Sequence, residues 1–412
     1  MKLLPNLAPL SIPPYRYFIT ARFFLIMALR MVTTVVGYKL FQLTQSSFSI
    51  GLVGLSEFIP VFSLALYAGH VIDLSDKRTL LLKGLIAYTV CTALLILVTS
   101  GWFENQWQNK NHLAWCYYAI IFCSGVIRAF VGPGANAIIA QLVPREQLSL
   151  AVNLSSSTFL TASILGHASA GFLIAGIGVH YTFFVICLYT TIAVFMVSRV
   201  HKLPVAGSNS RGKAWSSVQE GIQYVFRNKI LLGAISLDLF AVLFGGAAAL
   251  IPEVAHRILE AGPIGFGWLN AATDIGAVIS VIFIIVFPLK KHQGRLLFFV
   301  VAGFGICIIG FGLSSIYWIS FIALLCSGVL DGISVVIRGT ILQLTTPDEM
   351  RGRVSSVNSM FINSSNELGQ FESGFASRMI GTVPTIIFGG CMTLAVVIIA
   401  WFKAPGLRKF EY

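Results

Sequence analysis

Residues Gly328–Gly374 read GVLDGISVVIRGTILQLTTPDEMRGRVSSVNSMFINSSNELGQFESG. Two long segments flank a short polar hinge, Thr346-Pro347-Asp348-Glu349-Met350-Arg351-Gly352-Arg353. Each is long enough to cross a bilayer as a helix, which takes about 20 residues. Asp331, Arg338, Glu367 and Glu372 lie inside them. An ionisable side chain at such a depth is costly, so each is a functional-site candidate.

The same stretch recurs half a chain earlier. Gly328 then falls on Gly125, Glu349 on Glu146, Gly369 on Gly166 and Gly374 on Gly171. The hinge Pro347-Asp348-Glu349 meets Pro144-Arg145-Glu146, and Leu368-Gly369 meets Leu165-Gly166. This is the mark of a duplicated unit, the two halves being parallel repeats.

Composition sets the class. Hydrophobic residues make up 56% of the 412 and charged ones only 11%, with a mean hydropathy of +0.84. A soluble domain carries roughly 25% charged residues, so this is a polytopic membrane protein. Segmenting by loops places spans at about 16–41, 47–71, 79–100, 114–141, 147–177 and 180–200, then at about 230–255, 263–287, 295–314, 316–345, 353–381 and 384–402. The expected architecture is all-α, with twelve transmembrane helices in two pseudo-symmetric six-helix bundles. The expected domains are 1–200, a cytoplasmic linker 201–229, and 230–412. In the linker, Trp215, Val218, Ile222 and Phe226 recur at helical spacing. They predict a short amphipathic helix on the inner membrane surface.

The net charge of +12 is explained by its placement. Lys77, Arg78, Arg145, Lys202, Arg211, Lys290, Lys291, Arg351 and Arg353 gather at one set of helix ends, against Lys39, Lys110 and Arg257 at the other. This bias puts both termini in the cytoplasm and the chain in the cell's inner membrane. It accounts for the basic balance without a nucleic-acid partner. The seven cysteines sit in apolar segments without metal-type spacing and are expected to be small buried residues. No phosphate loop, metal cluster or nucleophile motif supports an enzyme or direct drive by ATP.

Arginines at 22, 30, 128, 338 and 378 lie within spans, with carboxylates at Glu57, Asp238, Asp274, Asp331, Glu367 and Glu372. A central Arg or Asp costs roughly 2.5–3.5 kcal/mol on insertion scales, so most of them are expected to face a cavity or a partner. The carboxylates outnumber the arginines, and a buried acid without a cation favours its protonated form. That is the physical requirement for proton coupling, and these six carboxylates are its candidates. Asp331 and Arg338 are seven apart, two turns along one helix face. Arg128 is the half-chain equivalent of Asp331. Asn363, Glu367, Gln370, Gly374 and Arg378 follow one helical stripe, from which Glu372 departs. Arg22, Arg30, Arg128, Arg338, Asn363 and Gln370 are the candidates for lining a substrate cavity, where arginine suits an anionic substrate. The competing reading is that these groups lock helices together.

The loop Gly69-His70-Val71-Ile72-Asp73-Leu74-Ser75-Asp76-Lys77-Arg78 resembles the signature loop of the major facilitator superfamily. Leu74 stands where an Arg is common, and Asp76 where a second Gly is. The resemblance implies a conformational latch between the halves at Gly69, Asp73, Lys77 and Arg78. Gly166-His167-Ala168-Ser169-Ala170-Gly171 resembles the antiporter motif, with His167 in place of Pro; Gly166, His167 and Gly171 are expected to pack helices closely. Ala21-Arg22-Phe23, the hinge Pro347–Arg353 and the Gly-rich fifth and eleventh spans resemble the enterobactin-exporter and macrolide-efflux branch. That branch implies a secondary exporter working by alternating access. Its substrate is an amphiphilic molecule, a siderophore or macrolide-like drug, moved outward against protons. The proton gradient stands in place of a cofactor or metal, and the working unit is a monomer in the bilayer. The alternatives are an importer or facilitator of a small metabolite and a non-transporting membrane sensor.

Overall fold

The computed structural model describes residues 5–106, 110–201, 214–287, 292–347 and 349–411, with the side chains of 5, 6, 66, 70, 73, 110, 111 and 214–218 left aside. Long helices follow one another with short connections. They are α1 Pro13–Thr44, α2 Ser47–Leu74, α3 Lys77–Val98 and α4 Lys110–Leu142. A continuous run Leu148–Ser198 then turns at Gly178, whose φ of 81° is open to glycine at little cost. It divides the run into α5 (148–177) and α6 (179–198). The linker helix is α7, Ala214–Arg227. The second repeat holds α8 Lys229–Gly245, α9 Gly262–Val286, α10 Gln293–Leu313, α11 Tyr317–Thr345, α12 Arg351–Ile380 and α13 Thr382–Lys403.

Ten stretches among the described residues are long and apolar enough to cross a membrane. One of them, Arg145–Ser198, contains both α5 and α6. The remaining long helix is α12, whose Ser and Asn content keeps it below the apolar threshold. Twelve spans result, as the loop-based segmentation expects.

Contacts divide the chain into Met1–Lys39 with Ile59–Arg211 (unit 1) and Leu40–Phe58 with Gly212–Tyr412 (unit 2). Unit 1 is built on an aromatic and aliphatic core from α1, α3, α4 and α6, including Tyr15, Phe18, Leu85, Tyr88, Ile138 and Val197. The Tyr15 hydroxyl donates to Ala151 O at 2.7 Å and ties α1 to the start of α5. Unit 2 has its own core from α8, α10, α11 and α13, including Leu237, Phe298, Val301, Ile337 and Val397.

The α1–α2 corner, Leu40–Phe58, belongs by its contacts to unit 2. A Cβ on Gly374 of α12 would stand 2.9 Å from the Gly51 Cα and from Ser47 O, so the two backbones touch. Phe48 lies among Phe371 and Phe375, with ring centroids 6.3 and 6.2 Å away. Overpacking such a contact costs about 1–3 kcal/mol. Gly374→Val is therefore expected to raise the labelling rate of a Ser47→Cys thiol by about tenfold, because Ser47 is only 2% exposed. Unchanged labelling with a membrane-impermeant maleimide would show that this seat tolerates a side chain.

The linker helix places its apolar residues on more than one face. Trp215 and Val218 lie outside the described side chains. Phe226 is 59% exposed, whereas Val225 is buried. Val225 and Ile222 pack against Leu231, Ile235, Leu342, Val354 and Val357. Polar ties set this rotation: the Tyr224 hydroxyl donates to Thr345 O, and Glu220 pairs with Arg353. The helix thus docks on the two sides of the Thr346–Arg353 hinge through its Val225 face.

Candidate functional site

The clearest polar constellation of unit 2 forms where α8 meets α11. Arg338 is 7% exposed, and its guanidinium is shared between two carboxylates. One nitrogen, Nη1, pairs with Asp238 of α8, whose side chain is 8% exposed. Nη2 stands 3.8 Å from Asp331 Oδ1, two turns earlier on α11. The third donor, Nε, gives its hydrogen to Ser334 Oγ at 3.2 Å. Seven residues on a helix return to nearly the same face, so the Asp331–Arg338 geometry follows from sequence spacing. The Asp238 contact comes from tertiary packing, and sequence spacing gave it no special rank.

The two acids differ in exposure. Asp238 is sealed, while the Asp331 side chain is 46% exposed. At 3.8 Å, Asp331 is an ion-pair neighbour of Arg338 and not a hydrogen-bond acceptor. One cation between two anions leaves the ionised cluster with a net charge of −1.

The polar stripe of α12 has two faces. Glu367 is buried, with Gln370 Nε2 donating to its Oε2 at 3.2 Å. Asn363 is exposed, as are Ser355, Ser356, Ser359 and Asn366. Glu372 is half-buried and accepts from Ser373 Oγ at 3.4 Å. Ser373 Oγ also donates to Gly246 O at 2.9 Å, where α8 ends. Arg378 is exposed, its guanidinium carbon 5.3 Å from the centre of the Phe48 ring. Glu57 on α2 and Asp274 on α9 are half-buried on other helices.

In unit 1, α1 carries Arg22 and Arg30 and α4 carries Arg128, all half-buried. The Arg22 Nε is buried without a hydrogen-bond acceptor among the described residues. Arg30 stands over Phe159, 5.5 Å from its ring centre. Gly166 packs on α1, where a Cβ would approach Arg30 Cβ and Met27 O to 2.8 Å. His167 is buried and hydrogen-bonded to Thr34 Oγ1 at 2.7 Å, and Gly171 is buried on the same helix.

The α2–α3 loop carries the residues of the expected latch. A Cβ on Gly69 would meet no heavy atom within 4 Å among the described residues. The Asp73 and His70 side chains lie outside the described set. Asp76 caps α3, accepting from Arg78 N at 3.1 Å, and Lys77 opens that helix. Arg78 donates to Ser198 O at 2.8 Å and Val200 O at 3.0 Å. It therefore satisfies the end of α6 in its own unit, as cations at helix C-termini do. The cysteines are free, but Cys123 and Cys391 are exposed instead of buried.

Sequence reasoning passed over one cluster. Glu253, beyond the break in α8 at Gly246, accepts from Ser47 Oγ at 2.5 Å and pairs with Arg257 at 2.9 Å. Arg257 also donates to Gln45 O at 2.9 Å and lies 5.5 Å from the centre of Phe41. The available signal was the i, i+4 spacing of Glu253 and Arg257. Arg257 reads as a loop residue only while span seven is taken to end before it.

Comparison with known proteins is consistent with this architecture. A family described as transmembrane secretion effector matches residues 5–411. YfiS, an uncharacterized MFS-type transporter of Bacillus subtilis (strain 168), is 23% identical over 380 residues, covering 89% of this chain and 87% of its own. The enterobactin exporter EntS of Shigella boydii serotype 18 is 23% identical over 403 residues, covering 97% of this chain and 94% of its own. Among solved structures, a D-xylose-proton symporter superposes with a TM-score of 0.75 at 11% identity, covering 97% of this chain and 99% of that one. These are transporters and not enzymes. The chain belongs to the transmembrane secretion effector family of the major facilitator superfamily, a multi-pass membrane transporter with two six-helix bundles.

Proposed function

We propose that the chain is a proton-coupled exporter of an amphiphilic organic molecule, a siderophore or a macrolide-like drug. The carrying observation is the Asp238–Arg338–Asp331 triad, a buried ion pair with a second, more exposed carboxylate beside it. Protonation of Asp331 neutralises the cluster and loosens its hold on Arg338, and deprotonation restores it. A charge change of that kind inside a membrane protein is a means of coupling proton movement to a conformational equilibrium. The 23% identity to an enterobactin exporter over nearly the whole chain supports outward transport. The clustering of Lys and Arg at one set of helix ends supports an inner-membrane protein with both termini in the cytoplasm. The monomer is the proposed working unit.

The test uses proteoliposomes loaded with a pH dye. A catechol siderophore, a carboxylate siderophore and a macrolide are each added outside. Antiport is expected to drive protons out as substrate enters, so the interior alkalinises with one of the three. Interior acidification would identify symport and overturn the exchange. Silence with all three, despite measurable binding, would overturn proton coupling.

A further inference from the structure

Sorted by unit, the ionisable groups within the helix interiors separate by sign. Unit 2 holds all six carboxylates, Glu57, Asp238, Asp274, Asp331, Glu367 and Glu372, with two arginines: a buried Arg338 shared by two of the acids, and Arg378, exposed in the last turns of α12. Unit 1 holds Arg22, Arg30 and Arg128, and its sequence has no carboxylate away from helix ends. Arg338 is thus committed to acids of its own unit, and Arg22 and Arg30 of unit 1 are the cations suited to a substrate.

Their surroundings resemble a binding face. No carboxylate is recorded within ion-pair distance of Arg22 or Arg30 among the described residues. The buried Arg22 Nε lacks an acceptor, and the nearby Tyr15 hydroxyl is already given to Ala151 O. A sealed donor of this kind calls for a partner. Arg30 lies over Phe159, which is 36% exposed. The same stretch of α5 exposes Asn153, Ser156 and Ser157. One turn further along α1, Thr34 is tied to His167, and Gly166 fixes α1 against α5. The guanidinium, ring and hydroxyl groups are therefore carried on two helices held at close range. Arg22 and Arg30 lie about 12 Å apart along α1 and about 80° apart around it, within one helix face.

We propose that unit 1 binds the anionic end of the transported molecule, with Arg22 and Arg30 as its cations and Phe159 as the seat for an aromatic or apolar body. The ligand class is an organic anion with an aromatic body. Guanidinium groups bind carboxylates through paired hydrogen bonds and stack on rings. The inference rests on the transporter reading but not on proton coupling.

The test is equilibrium binding to the full chain in phosphatidylcholine nanodiscs without a pH gradient. The probes are 1-naphthoate and its neutral isostere 1-naphthamide. The carboxylate is expected to bind about tenfold or more tightly than the amide. Arg22→Met and Arg30→Met should each erase most of that difference, Arg30→Lys should keep part of it, and Arg378→Met in unit 2 should leave it unchanged. Equal binding of acid and amide overturns the proposal, as does an Arg378→Met effect equal to that of Arg30→Met. Displacement of naphthoate by added phosphatidylglycerol, lost in Arg22→Met, would assign the site to a lipid headgroup and also overturn it. Should Arg22→Met fail to insert, Arg30→Met and the acid–amide comparison decide the outcome. Because no proton gradient is present, a failure of coupled transport in vesicles leaves this result standing, and the reverse also holds.

Discussion

Vesicles carrying Asp331→Asn are expected to bind and exchange substrate but to move no protons with it. Asparagine keeps the size and shape of the side chain, resembles its protonated form, and removes both its charge and its titration. Asp331 is the more exposed acid of the triad, 46% exposed and 3.8 Å from Arg338 Nη2. Its neutralisation takes the cluster from −1 to zero and fixes it in the state that proton uptake would otherwise produce. The substrate-driven pH change should fall by about tenfold or more, while substrate counterflow without a gradient stays within about twofold. Unaltered proton movement in Asp331→Asn would remove this residue from the mechanism and turn attention to Glu367 and Glu372.

Arg338→Met is expected to produce the largest loss of stability. The guanidinium is the partner of Asp238, and both side chains are less than a tenth exposed. Removing one member of a buried pair leaves an uncompensated charge and costs about 3–5 kcal/mol. Thermal unfolding in detergent should therefore occur at clearly lower temperature for Arg338→Met than for the parent chain. Asp238→Asn combined with Arg338→Met removes both buried charges, and most of the lost stability should return. A double variant no better than the single one would mean that the cost lies in packing around the guanidinium, not in the orphaned carboxylate. Arg338→Lys tests geometry: it keeps the charge but not the fork that serves Asp238, Asp331 and Ser334 together.

The fold was legible because bilayer thickness leaves few choices. Apolar runs set the helices, and Pro347 with its polar neighbours interrupts them where α11 ends and α12 begins. The turn at Gly178 falls in the gap between the expected fifth and sixth spans. Within the site, only the part carried on one helix could be read in advance. Asp331 and Arg338 share a face by spacing, as do Glu367 and Gln370. Asp238 is one hundred residues from Arg338, and no periodicity links them. The linker helix shows another limit. Helical spacing singled out Ile222 and Phe226 and not Val225, which turns inward beside Ile222 because Tyr224 and Glu220 bind the ends of α11 and α12. Glu253 was missed because its helix is broken at Gly246 and resumes in an irregular turn.

The separation of charge between the two repeats has a consequence for how such a protein can diversify. The halves share a common ancestral plan, in which Arg128 and Asp331 occupy the same place, yet one half now keeps cations in its helices and the other keeps acids. If the first half binds the cargo and the second couples to protons, as proposed above, mutations that alter what is carried would accumulate in the first half while the second continued to draw on the same energy source. Specificity and power supply become separately inheritable traits, and a new cargo does not require a new engine.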